Sequence, residues 1–135
     1  WHTSLLFGRF KFVIATHGPV IHWSNRFRSL LSTGALVFKQ SGELTEFWEY
    51  ELEPFVHYIP LREDLSDLLE MVEWAVENDE EAQAIALNGF NFVRERLRPE
   101  RVVCYWGHLL HRYGALLDYV PTVDKEAVHY TIVNA

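Results

Sequence analysis

The chain predicts an α/β fold, a short parallel sheet followed by carboxyl-terminal helices. Three observations predict it. Two β-branched apolar runs, 11–15 (KFVIA) and 35–39 (ALVFK), flank a helical stretch; a third run lies at 55–59 (FVHYI); and beyond Asp64 apolar residues recur at three- and four-residue spacing. The first run stops at Thr16, His17, Gly18 and Pro19, as a buried strand followed by a loop does. Ser24 stands as the N-cap of a helix from Asn25 to Leu31, which Thr33 and Gly34 end. Two strands joined by a helical crossover imply a right-handed βαβ unit.

The acidic, aromatic stretch 41–53 (SGELTEFWEYELE) predicts a loop with one or two helical turns, closed by Pro54. The third strand, Phe55 to Ile59, is stopped by Pro60, and the aspartates of 64–67 (DLSD) supply a capped helix start. Leu65, Leu68, Leu69, Val72, Ala75 and Val76 form one apolar helical face, and Asn78 and Asp79 break that helix. Ala82, Ile85, Ala86, Phe90, Val93 and Leu97 mark a second helix. Pro99 starts a third, with Val102, Trp106, Leu109, Leu110, Tyr113, Leu116 and Leu117 along one face. Residues 118–135 contain Pro121 and no clear period, and read as a tail with a short strand at Tyr130 to Val133.

A length of 135 residues, 49% of them apolar, is one domain's worth of chain with ample material for a core. With 19 acidic against 12 basic residues, net −7, the surface repels a polyanion, so nucleic acid is not an expected partner. No apolar run approaches the roughly 18 residues that cross a bilayer. The first residue is not Met and the opening shows no signal-peptide order, so the chain reads as a piece of something longer. Cys104 is the only cysteine, which excludes an internal disulfide and a thiolate zinc cluster; within VVCYWGHLL it reads as a buried helix thiol.

The sequence holds no Gly-rich phosphate loop, no HExxH and no GxSxG. His108 and His111 share a helix face without an evident third ligand, and His57 reads as a packed strand residue. Arg26 differs by its place. The first turn of a helix disfavours a cation by about 0.3–1 kcal/mol, so a compensating anion is expected. That anion is either a bound diphosphate, gripped by the guanidinium fork at the mouth of the parallel sheet, or an acid such as Glu46 or Glu49. Glu46 follows the second strand and is either an acceptor for the two hydroxyls of a ribose or a solvated acid on an acidic loop. Phe47, Trp48 and Tyr50 are read as core aromatics rather than stacking platforms.

The segments KFVI, SNRFRSLLSTGALVFKQ, TEFWE, LEPFVHYIPL, DLSDL, VEWAVENDEEAQAIA, NGFNFVRERL and CYWGHLL, in this order, resemble the carboxyl-terminal half of glycosyltransferase family 90. That family includes the Rumi-type protein O-glucosyltransferases and the fungal capsule-associated xylosyltransferases. The resemblance runs from Phe10 to Tyr119. It implies the donor-binding, Rossmann-like half of a GT-B glycosyltransferase over residues 10–119, with 1–9 a remnant of a preceding segment and 120–135 a tail. It further implies that Arg26 grips the diphosphate of a UDP-sugar with Ser24 and Phe27 beside it, and that Glu46 meets the ribose. Glucose or xylose then passes with inversion to a protein or glycan hydroxyl, with no cofactor and no metal.

The catalytic Asp base and the acceptor contacts belong to the amino-terminal half, so no catalytic residue is expected within this chain and the fragment alone is expected to be inactive. Kinship also implies the lumen of the endoplasmic reticulum or Golgi. The chain departs from the family pattern at residues 15–22 (ATHGPVIH), where members carry acidic or Gly-rich residues. Pro19 there removes an N–H from the loop. A degenerate, non-catalytic interaction module of the same fold is the alternative.

Overall fold

The computed structural model describes residues 9–17, 26–120 and 122. They form β1 (Phe12–Ala15), α1 (Arg26–Leu31), β2 (Leu36–Gln40), a 3-10 turn (Glu49–Glu51), β3 (Ile59–Leu61), α2 (Leu68–Glu77), α3 (Asp79–Arg96) and α4 (Pro99–Gly114). The Ser24 cap, the Pro19 loop and the strand expected at 130–133 lie outside the described residues. The fold is α/β: three strands in the order β1-β2-β3, all parallel, followed by helices. Two compact units divide the chain, residues 1–101 and 102–135.

Within the first unit, strand alternation sends side chains to both faces of the sheet. Val13, Ala15 and Val37 meet Phe27, Leu30 and Leu31 of α1, together with Trp48, Phe92 and Leu97. Leu36, Phe38, Ile59 and Leu61 point the other way, onto Ala75 of α2 and Ala82 and Ile85 of α3. Burial on both faces of β2 explains why it reads as a continuous apolar run rather than an alternating one, whereas β1 leaves Ile14 exposed. α3 closes both clusters, Ala82 and Ile85 on one side and Phe92 on the other. α1 ends as its sequence predicts: Gly34 adopts φ +78°, the left-handed conformation that glycine takes without steric penalty, and Thr33 returns its hydroxyl to the Leu30 carbonyl at 2.6 Å.

The third strand is shifted from its expected place. Residues 55–57 form a turn, Tyr58 makes an isolated bridge with Pro54, and β3 begins only at Ile59. The cause is the His57 imidazole, whose Nδ1 accepts the Glu53 N–H at 3.0 Å, while the N–H groups of Val56 and His57 return to the Glu53 carbonyl and Phe55 sits at φ 59°. Pro60 does not stop the strand but lies inside it. β3 is an edge of the described sheet, where a missing N–H leaves no ladder bond broken.

The start of α2 also differs from expectation. Asp67 stands at the N-cap without capping, because its carboxylate accepts the Arg62 N–H at 3.0 Å; Asp64 accepts the Ser66 N–H at 3.0 Å. The two acids build the turn rather than the cap.

Asp79 opens α3, paired with the Lys11 ammonium and accepting a hydrogen bond from Gln83 at 3.0 Å. The bond from Lys11 is the main cause that holds its carboxyl below the ordinary carboxylate range. A group with a lowered folded value stabilises the fold above its ordinary range, and the contribution is lost as pH falls through the lowered value. Asp79→Asn is therefore expected to flatten the acid limb of a urea-midpoint-versus-pH profile by lowering the midpoint at neutral pH and not in acid, by a small amount because the pair is solvent-exposed. An acid limb identical to that of the parent chain would remove Asp79 from this role.

α4 carries the predicted apolar period, but Cys104 is exposed on it rather than buried. The helix buries none of its residues, and Trp106, Leu109, Leu110 and Tyr113 of the apolar stripe are exposed along with Cys104. Among the described residues no helix is long and apolar enough to cross a membrane.

Candidate functional site

A right-handed crossover between parallel strands must return to the amino edge of the sheet, so α1 begins at the carboxyl edge. Arg26, its first described residue, is exposed there. α1 has six residues, too short for a strong dipole, so any affinity for an anion at this point rests on the guanidinium rather than on the helix. The neighbouring arginine serves the fold instead. Arg28 donates from Nη2 to the Leu97 carbonyl at 2.7 Å and ties α1 to the end of α3.

Phe27 is 3% exposed. Its ring stacks on Trp48 at 5.6 Å and 26° and meets Tyr58 edge-on at 5.5 Å. Its ring is therefore part of the core and offers no free face. Trp48 is buried in the same cluster, and its indole N–H donates to Glu46 Oε2 at 3.0 Å. The structure thus joins Arg26 and Glu46 through one aromatic stack. Of the loop aromatics expected in the core, Trp48 is buried and Phe47 partly so, whereas Tyr50 is 76% exposed. Ser24 lies outside the described residues.

The two acids named as alternatives for Arg26 each hold a partner of their own. Glu46 takes the Trp48 N–H, and Glu49 pairs with Lys39 at 3.0 Å. Burial, with the Glu49 carboxylate nearby, pushes the Tyr58 phenol above its ordinary value.

The ends of the three strands are also cross-linked, by residues that sequence reasoning missed. The main-chain N–H of His17, beyond β1, donates to Gln40 Oε1 at 3.0 Å, and Gln40 Nε2 donates to the Glu63 carbonyl, beyond β3, at 2.6 Å. His17 Nε2 lies 3.2 Å from the Gln40 carbonyl. A carbonyl only accepts, so Nε2 carries the proton. The imidazole rests on Gly42, where an added Cβ would stand 2.2 Å from the ring. One carboxamide thereby spans the crevice edge of the sheet. The available signals were a Gln ending a strand and a Gly two residues later.

The other sequence candidates lie apart from this edge. His57 packs edge-on against Phe92 at 5.5 Å and lines a polar cleft of about 350 Å³ with Asn88, Asn91, Glu95 and Arg96. His108 and His111 gain no third ligand: among the described residues no three His, Cys, Asp or Glu side chains gather to hold a metal ion. A mainly apolar cleft of about 610 Å³ opens between Phe10–Phe12, Thr33–Leu36 and α3, at the amino ends of the strands. Ligands of open α/β sheets bind at the opposite, carboxyl edge, where the polar groups converge.

The comparisons with known proteins agree on one family. The sequence profile of glycosyl transferase family 90 matches residues 5–133. The chain is 42% identical to protein O-glucosyltransferase 2 of Danio rerio over 123 residues, 90% of this chain and 24% of that protein. It is 40% identical to protein O-glucosyltransferase 1 of Rattus norvegicus over 110 residues, 82% of this chain and 28% of that protein. With protein O-glucosyltransferase 3 of Homo sapiens it shares 38% over 117 residues, 87% of this chain and 23% of that protein. The chain thus spans about a quarter of the length of these relatives. With three parallel strands leading into helices and a profile match over nearly all of its residues, this chain belongs to glycosyl transferase family 90.

Proposed function

We propose that this chain is the donor-binding part of a glucosyl- or xylosyltransferase with a GT-B arrangement, acting on a protein or glycan hydroxyl from UDP-sugar. The observation that carries the reading is the carboxyl edge itself. There an exposed Arg26 and a Trp48-held Glu46 are joined through the Phe27–Trp48 stack. The guanidinium fork takes two oxygens of the diphosphate, and the Glu46 carboxylate accepts from the ribose hydroxyls.

Inverting transfer needs a base to take the proton of the acceptor hydroxyl as its oxygen attacks the anomeric carbon and UDP departs. That base, an Asp, and the acceptor contacts belong to the other half of the enzyme. The part played here is to hold the donor and to stabilise the charge growing on the leaving diphosphate. Arg26 supplies a fixed cation at that point, so the reading requires neither a metal ion nor a cofactor. Kinship with the protein O-glucosyltransferases supports a place in the lumen of the endoplasmic reticulum or Golgi.

Thermal unfolding in the presence of UDP tests this reading. Saturation to about 100 times the Kd stabilises a fold by roughly 2.7 kcal/mol, a shift of several degrees. The Tm is expected to rise with UDP and to keep rising in EDTA. A melt unchanged in millimolar UDP overturns donor binding and leaves the interaction module in its place.

A further inference from the structure

The Phe27–Trp48 stack that joins Arg26 to Glu46 has a charged clasp at its centre. Lys39, near the end of β2, carries its Nζ 3.0 Å from Glu49 Oε2, with side chains only 17% and 10% exposed. The same ammonium lies 5.2 Å from the centre of the Phe27 ring and 6.0 Å from that of Tyr58. Glu49 in turn gives its main-chain N–H to the Glu46 carbonyl at 3.0 Å. Lys39 therefore reaches both arms of the candidate site: the residue beside Arg26 directly, and the main chain of Glu46 through Glu49. Apolar side chains of similar volume often replace a buried ion pair at no loss of stability, so two charges here are more than packing requires. What they add is direction, since an ammonium over an aromatic face and a carboxylate on that ammonium fix mutual positions that apolar contacts leave free.

We propose that Lys39 and Glu49 are positioning residues that set the separation between the Arg26 guanidinium and the Glu46 carboxylate, and so the fit of the site to the two ends of UDP. The inference rests on the donor-binding reading. It deepens that reading by locating what couples the diphosphate end to the ribose end. A misplacement of about 1 Å is enough to cost a site up to roughly 100-fold. The loss should fall on a ligand that bridges both arms and spare ligands that touch one.

The test measures UDP, uridine and inorganic pyrophosphate binding to the chain and to K39M and E49Q, each held below its own Tm with native near-UV circular dichroism. UDP affinity is expected to drop at least about tenfold in both variants, while uridine and pyrophosphate stay within about threefold. Should a single variant not fold, K39M/E49L leaves no lone buried charge and carries the same expectation. UDP affinity within about threefold of the parent chain in a folded variant overturns the proposal, as does an equal loss for uridine or pyrophosphate alone, which would make the pair a support for one arm only. A parent chain that binds no UDP removes the donor-binding reading and the proposal falls with it, a result distinct from either of these.

Discussion

Arg26→Ala is expected to abolish the rise in Tm that UDP produces while leaving the Tm of the unliganded chain nearly where it was. Charge-assisted hydrogen bonds contribute about 1.5–3 kcal/mol each, and a guanidinium fork makes two, so the loss in UDP affinity should reach roughly 100-fold or more. The side chain is exposed, and exposed substitutions change stability by about 0.5 kcal/mol or less. A split between lost binding and kept stability is the signature of a ligand contact rather than a structural one. Arg26→Lys supplies the graded case: the charge remains, the planar fork does not, and affinity should fall between the parent chain and the alanine variant. A full UDP-induced rise in Arg26→Ala would remove the guanidinium from the site.

Gly89→Ala is the second large effect, and it acts on the fold. Gly89 lies within α3 where the helix crosses the turn that delays β3. A Cβ there would stand 2.5 Å from the His57 carbonyl oxygen and 2.8 Å from Leu31 Cδ2, one of them backbone and unable to turn away. Overpacking of this kind costs about 1–3 kcal/mol and opposes the roughly 1 kcal/mol that alanine ordinarily adds to a helix over glycine. Gly107, on α4, has nothing within 4 Å of the same added atom. The identical substitution there should therefore be neutral or stabilising. Urea unfolding is expected to give opposite signs for the two variants, and equal signs would mean that α3 does not press on the 53–57 turn.

The periodic elements were legible because burial writes itself into spacing. Helices α2 and α3 appear where apolar residues recur at three and four and pack on the sheet, and β2 where a short apolar run is buried on both sides; α4 keeps the same period without a buried residue, and β1 leaves Ile14 exposed. The third strand was misplaced because its boundary depends on one imidazole. His57 draws Glu53 into a turn, an event that a run of β-formers such as FVHYI does not advertise. Pro60 misled for a related reason, since a proline breaks a central strand yet is harmless on an edge, and edge position is a property of the sheet.

What the sequence determined by itself was local and periodic: an α/β chain, the glycine that ends α1, and the kinship carried by contiguous segments that singled out Arg26 and Glu46. What only the tertiary structure decided was which distant residues meet. His17, Gln40 and Glu63 become neighbours because parallel pairing lays the ends of three strands side by side. Lys39 chose Glu49, and Phe27 chose Trp48, because strand alternation turned Lys39 toward α1 and burial drew the aromatic rings beneath it. Each of those contacts joins side chains many positions apart, and spacing along a chain carries no record of distance across a folded sheet.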